Sequence, residues 1–198
     1  MAQFGAKYIR FNKIKEQPEG ELPIYDEKGP VQVGRAVKMD LAVNMATGEL
    51  YADDELAESQ SEFSSGTLAA ETDDMTDEVA SEVYGCEVVD GEAHYKYGDM
   101  PPEGGLGYIK VLVRRGVKSF KGVFYPRVKA ALGNDSAQTR GSSITFSTTN
   151  TTFTVFSCNS GDWRITKELA TEAEARAWVD AKLTNKSAST TEPVGAAG

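Results

Sequence analysis

QSEFSSGTLAAETDDMTDEVASEVYG, residues 60–85, describes a strand that turns into a short amphipathic helix, and the rest of the chain is read outward from it. Residues 63–70 are rich in Ser, Thr and small side chains, with Phe63 and Leu68 the only large apolar members. That composition suits an extended segment with one weakly buried side. Met75, Val79, Ala80 and Val83 then fall at i, i+4, i+5 and i+8, one apolar stripe at helical spacing. Asp73, Asp74, Asp77 and Glu78 crowd the first turns, where the helix dipole favours negative charge, and Gly85 stands where a left-handed C-terminal cap belongs. The expectation is a helix over about 73–84.

Around this unit the chain reads as sheet. Residues 8–15 alternate as an edge strand, and residues 32–45 alternate as a half-buried strand that the Ala46-Thr47-Gly48 turn ends. Between them, 17–30 collects Pro18, Gly20, Pro23, Gly29 and Pro30, an N-terminal arm able to reach a neighbour. Residues 46–61 carry Glu49, Asp53, Asp54, Glu55 and Glu58 with few large apolar residues, and read as a long exposed loop; such loops are usually functional or disordered. Asp90-Gly91 marks a hairpin, and Gly116 lets 108–115 reverse tightly into 117–125. Ile144 and Phe146 lie on one strand face and Phe153 and Val155 on the other, with a turn or bulge at Asn150-Thr151. Residues 162–169 form one more strand. Thr171 and Glu174 form a capping box that opens a helix over 172–183, with Ala175, Trp178, Val179 and Leu183 on one face. Residues 185–198 are small, polar and aperiodic, a flexible tail. Seven to nine strands with regular turn signals and two flanking helices argue a mainly β fold, a sandwich or barrel, as one domain over 1–184.

A chain of 198 residues buries a core without disulfide or metal support. Cys86 and Cys158 show no metal or redox spacing and read as buried free thiols in a reducing compartment. The start of the chain has no apolar signal region, and no apolar run approaches the roughly 20 residues of a membrane span, so a soluble protein made in the cytoplasm is expected. The net charge of −9 is unevenly distributed. Residues 39–95 hold sixteen Asp and Glu and no Lys or Arg, whereas 106–140 hold eight Lys and Arg and one acid, Asp135. Such runs serve either as solvated faces or as the two halves of a head-to-tail contact between copies.

Chemistry finds little support. The lone His94 lacks a Ser or Cys context for a triad, and the carboxylate pairs Asp53 with Glu55 and Asp73 with Asp77 have no apolar setting to raise a pKa. Asp73, Asp74, Asp77 and Glu78 do not follow a calcium-loop pattern, and GDMPPEGGLGYI lacks the Lys-Ser/Thr of a phosphate loop. The basic, aromatic hairpin with Arg114, Arg115, Lys118 and Lys121 has the makings of a nucleic-acid surface, but the acidic whole opposes phosphate binding. No catalytic residue, cofactor or metal site is expected.

The phrases LAVNMATGELYADDELAESQSEFSSGTLAAETDDMTDEVASEVYG, GYIKVLVRRGVKSFKGVFYPRVKA and GDWRITKELATEAEARAWVDAKL, in this order over about residues 3–184, resemble the major tail tube proteins of long-tailed, non-contractile bacteriophages. The resemblance implies a β-sandwich flanked by helix, six-fold rings stacked into a hollow tube that DNA traverses without specific binding, and inner strands joined across subunits around a negative lumen. It also implies a long early loop that touches adjacent subunits, and partners in a tape measure protein and in tail tip and tail terminator proteins. On this reading the chain is a structural virion protein and no enzyme. Its candidate inter-subunit contacts are Tyr51, Asp53, Asp54 and Glu55 in the loop, with Arg114 and Arg115 as their complement. The alternative is a monomeric β-sandwich binding module for a carbohydrate or protein ligand, with Tyr95 and Tyr97 as the start of an aromatic platform.

Overall fold

The computed structural model describes residues 2–52, 55–132 and 148–185. In chain order these form β1 (Ala2–Glu16), β2 (Ile24–Tyr25), β3 (Val31–Gly34), β4 (Ala36–Ala52), β5 (Glu55–Thr72), α1 (Asp77–Tyr84), β6 (Glu87–Val89) and β7 (Glu92–His94). They continue as β8 (Glu103–Arg114), β9 (Val117–Ala130), β10 (Thr149–Phe156), β11 (Ile165–Leu169) and α2 (Glu172–Leu183). Nine strands share one antiparallel hydrogen-bonded sheet in the order β2-β1-β8-β9-β10-β5-β4, with β3 also on β1 and β11 also on β9. The protein is thus mainly β with two helices.

The hairpin β8–β9 is the centre. Arg115 and Gly116 both adopt left-handed φ, 49° and 81°, the tight two-residue turn whose twist matches the flanking strands. That turn fixes the register from Arg114 opposite Val117 through Tyr108 opposite Val123. Alternation then sorts the side chains. Ile109, Val111, Phe120 and Phe124 face α2, where Ala175, Trp178, Val179 and Leu183 are buried against them. Two glycines make room for the helix. A Cβ on Gly107 would stand 2.6 Å from Val179 Cγ1, and one on Gly122 would stand 2.4 Å from Trp178 Cε3.

The other face of the hairpin presents Leu106, Tyr108, Val123 and Tyr125 to a second core. Phe11 of β1 lies 6.2 Å, ring to ring, from Phe153 of β10, although β8 and β9 separate these strands in the sheet. The sheet therefore folds over onto itself in two layers. Leu68 and Ala70 of β5 and Val155 of β10 close the core, and α1 adds Ala80, Val83 and Tyr84. The Tyr84 and Thr151 hydroxyls, both buried, hydrogen-bond each other at 2.9 Å, which removes the cost of leaving them unpaired.

Several expectations are corrected. Residues 46–52 and 55–61 are strand and not loop. The strand runs through Ala46-Thr47-Gly48 without turning, because the ladder with β5 that starts at the core continues, with register shifts at Asn44/Met45 and Leu50/Tyr51, out to Ala52 opposite Glu55. The segment 17–30 does not reach away from the body. β2 pairs with β1, Tyr25 is 3% exposed with its hydroxyl donating to Pro126 O, and Asn159 Nδ2 donates to Gln17 O and Pro18 O. β1 is an interior strand between β8 and the β2 and β3 segments rather than an edge. The stretch 32–45 is two strands, since Gly34 takes φ 143° against the Asp74 carbonyl. Helix α1 starts at Asp77, four residues later than the acids suggest, because Thr76 accepts from Val79 N as the N-cap while Asp73 caps the Arg35 N–H. Gly85 forms the left-handed cap, and α2 spans 172–183 with its capping box closed. Ile144 and Phe146 lie outside the described residues, as does the tail beyond Asn185.

An ion pair holds the folded-back segment. Arg127 donates through Nε and Nη2 to both oxygens of Glu103, at 2.9 and 2.8 Å, and Gln17 Nε2 donates to Oε2 at 2.7 Å. The Arg127 hydrogen bonds, with Gln17 assisting against partial burial, hold the Glu103 carboxyl below its ordinary value. A carboxylate depressed in the fold stabilises it above the unfolded pKa, about 4.3, and that stability is lost as pH falls through the folded value. Thermal melts taken from pH 7 down to pH 3 are expected to show a smaller acid loss in Glu103→Gln than in wild type. Equal acid slopes for the two proteins would remove this role.

Candidate assembly interface

The longest elements of the chain, β4 and β5, make one hairpin with two distinct halves. Near the body, Leu41 and Met39 pack on the core and Leu68 and Ala70 are buried in it. Further out, every residue in 42–48 and in 59–62 is exposed. Successive strand residues point to opposite faces, so these residues have no core on either side. Val43 is 41% exposed and Met45 50%. From Val43 opposite Gly66 the ladder continues to Ala52 opposite Glu55, an arm roughly 30 Å long at about 3.3 Å per residue.

The root of the arm is clamped by aromatic stacking. Phe63 of β5 lies parallel to Trp163, ring centroids 4.4 Å apart at 7°, and the Arg164 guanidinium covers Trp163 at 4.8 Å. Both rings pack partly against the core, so the arm leaves the body at a defined place. The outer edge of β4, at the end of the sheet path, carries no strand partner among the described residues. Val37, 52% exposed, adds to the apolar character of that edge. Free, long, partly apolar edges are templates for another chain.

No family model matches the chain, and no curated protein does.

The outward face of the second layer is built from short side chains. Registered rows run Asp40, Ala69 and Thr152, then Ala42, Thr67 and Thr154, across β4, β5 and β10. The acids Asp40 and Glu71 on this face are accompanied by Lys38 and Lys129. These rows are smooth and close to neutral.

The sequence-based site residues fall on two separate hairpins. Tyr51 and Glu55 belong to the far end of the arm, in the strands and not in a loop; Asp53 and Asp54 lie outside the described residues. Arg114 ends β8 and Arg115 starts the turn. Within one subunit Arg114 pairs with Glu168 at 3.0 Å, so the fold gives it a partner other than the arm. The Phe63 and Trp163 clamp escaped sequence reading, because residues 100 positions apart carry no spacing signal of their stacking. Among the described residues no three His, Cys, Asp or Glu side chains converge to hold a metal, and no helix is long and apolar enough to cross a membrane. His94 is half exposed beside Glu92, and Cys86 and Cys158 are buried free thiols.

Proposed function

We propose that this chain is the repeating structural subunit of a virion tail, a major tail tube protein that assembles into stacked six-fold rings around a channel for DNA. The observation that carries the reading is the arm, a paired hairpin clamped at its root whose residues 42–48 and 59–62 are all exposed, a surface suited to cover by another molecule. The free edge of β4 supports it, since joining strands across subunits removes an edge that is a hazard in a monomer. The rows of Ala, Thr and Asp40 would line the channel, where short side chains offer a passing duplex few handles. Assembly would start on a tail tip complex and a tape measure protein and be closed by a terminator protein.

A monomeric binding module is the second reading. Tyr95 is 60% exposed and Tyr97 fully exposed after β7, beside Met100 at 80%, which is the display of an aromatic platform.

Negative-stain electron microscopy of the purified chain at rising concentration, alone and with the tip complex and tape measure protein, separates the two. Hollow rings or tubes are expected; single particles in both conditions would favour the binding module.

A further inference from the structure

Lys110 of β8 and Lys121 of β9 are direct partners in the ladder, like charges side by side, an arrangement that weakens a sheet. Both lie on the inner face, the one that carries Tyr108 and Val123, opposite the face covered by α2. Lys110 is stacked at 5.7 Å over the Tyr108 ring. Burial, with the charges of Arg164 and Lys121 adding to it, holds its ammonium below the ordinary lysine range. Arg164 itself covers Trp163, so the cluster sits beside the root of the arm. Glu168, opposite Lys121 in the β9–β11 ladder, is already engaged: it pairs with Arg114 at 3.0 Å and accepts from Ser119 Oγ at 3.0 Å. Among the described residues no carboxylate lies within ion-pair distance of Lys110, Lys121 or Arg164. Three cations are thus concentrated on a partly buried face without an acidic partner among the described residues.

The chemistry of the missing partner is an acidic segment. By sequence, residues 49–58 hold Glu49, Asp53, Asp54, Glu55 and Glu58 and no base. The subunit's own segment does not serve. Phe63 is the arm residue beside Trp163, and ladder pairing carries Glu55 about 26 Å further out. We infer that Lys110, Lys121 and Arg164 form the dock for the acidic end of a second copy's arm. The inference rests on the self-assembly proposed above and names the surface that the arm engages. Dock and arm end are different patches of one subunit, so the contact is head to tail and repeats from copy to copy.

The double variant Lys110→Gln/Lys121→Gln separates docking from folding, because the two respond in opposite directions. Its isolated subunit is expected to melt at a higher temperature than wild type, like-charge repulsion being relieved. Its critical concentration for assembly, followed by light scattering and electron microscopy, is expected to rise at least tenfold. Lys121→Glu should raise it likewise, and adding Asp54→Lys to Lys121→Glu should restore assembly. Unchanged assembly of the glutamine variant, or failure of the reciprocal exchange to restore it, overturns the dock while leaving the assembly reading intact. A wild-type chain that never assembles with its tip complex and tape measure protein removes both.

Discussion

A subunit in which residues 47–61 are replaced by Asn-Gly is expected to fold as the intact chain does and to remain monomeric where the intact chain assembles. Ala46 and Glu62 are partners in the ladder, so a two-residue turn between them keeps the register of everything nearer the body. Of the residues removed, 47, 48 and 59–61 are exposed. Changes of that kind usually fall within about 0.5 kcal/mol, or roughly 2 °C in melting temperature for a chain of this size. Assembly, by contrast, should be lost altogether, since the arm is the element proposed to engage a second copy. Sedimentation velocity reads the second quantity and calorimetry the first. Tubes formed by the shortened chain would transfer the assembly role to the free edge of β4. A large fall in melting temperature would show that the arm supports its own body.

The largest effect on stability belongs to Trp178. Its ring fills the hollow that Gly122 leaves under α2, with only 7% of the residue exposed. Trp178→Ala is expected to cost about 3–5 kcal/mol, the range for removing a large aromatic from a core, and roughly 10 °C in melting temperature. The hollow supplies an internal control. Gly122→Ala alone forces a methyl to 2.4 Å from the indole and should destabilise by about 1–3 kcal/mol, as overpacking does. In the Trp178→Ala background the same methyl meets empty space, so the second change should be neutral or favourable. Additive effects in this cycle would mean that the two residues do not share a contact.

How much of this was legible in the sequence depended on the range of the interaction that decides each feature. The Gly116 turn, the alternation around it, the capping box at Thr171 and the cap at Gly85 are local, and the helix over 172–183 and the hairpin β8–β9 follow from them. The opposition of Lys110 and Lys121 was available too, because a two-residue turn fixes every pair that follows. The arm was not. Acidic, small and polar residues such as those of 46–61 have weak strand preference, and they form strands because the ladder begun in the core continues outward in register. Pro and Gly in 17–30 announced irregular backbone, and irregular it is, but they did not announce that Tyr25 would be buried. The clamp of Phe63 on Trp163 depends on the fold-over of the sheet, a global event without a local signature.

The division of the β4–β5 hairpin into a rooted half and a coreless half also bears on how such a chain changes over generations. A substitution at Leu41, Leu68 or Ala70 must answer to the packing of the whole body. On the assembly reading proposed above, one at 42–48 or 59–62 answers to the surface that the arm meets. Partner choice can therefore drift at little cost to folding, and two lineages with the same body can become mutually exclusive by altering a few exposed positions on the arm and the matching patch on its neighbour.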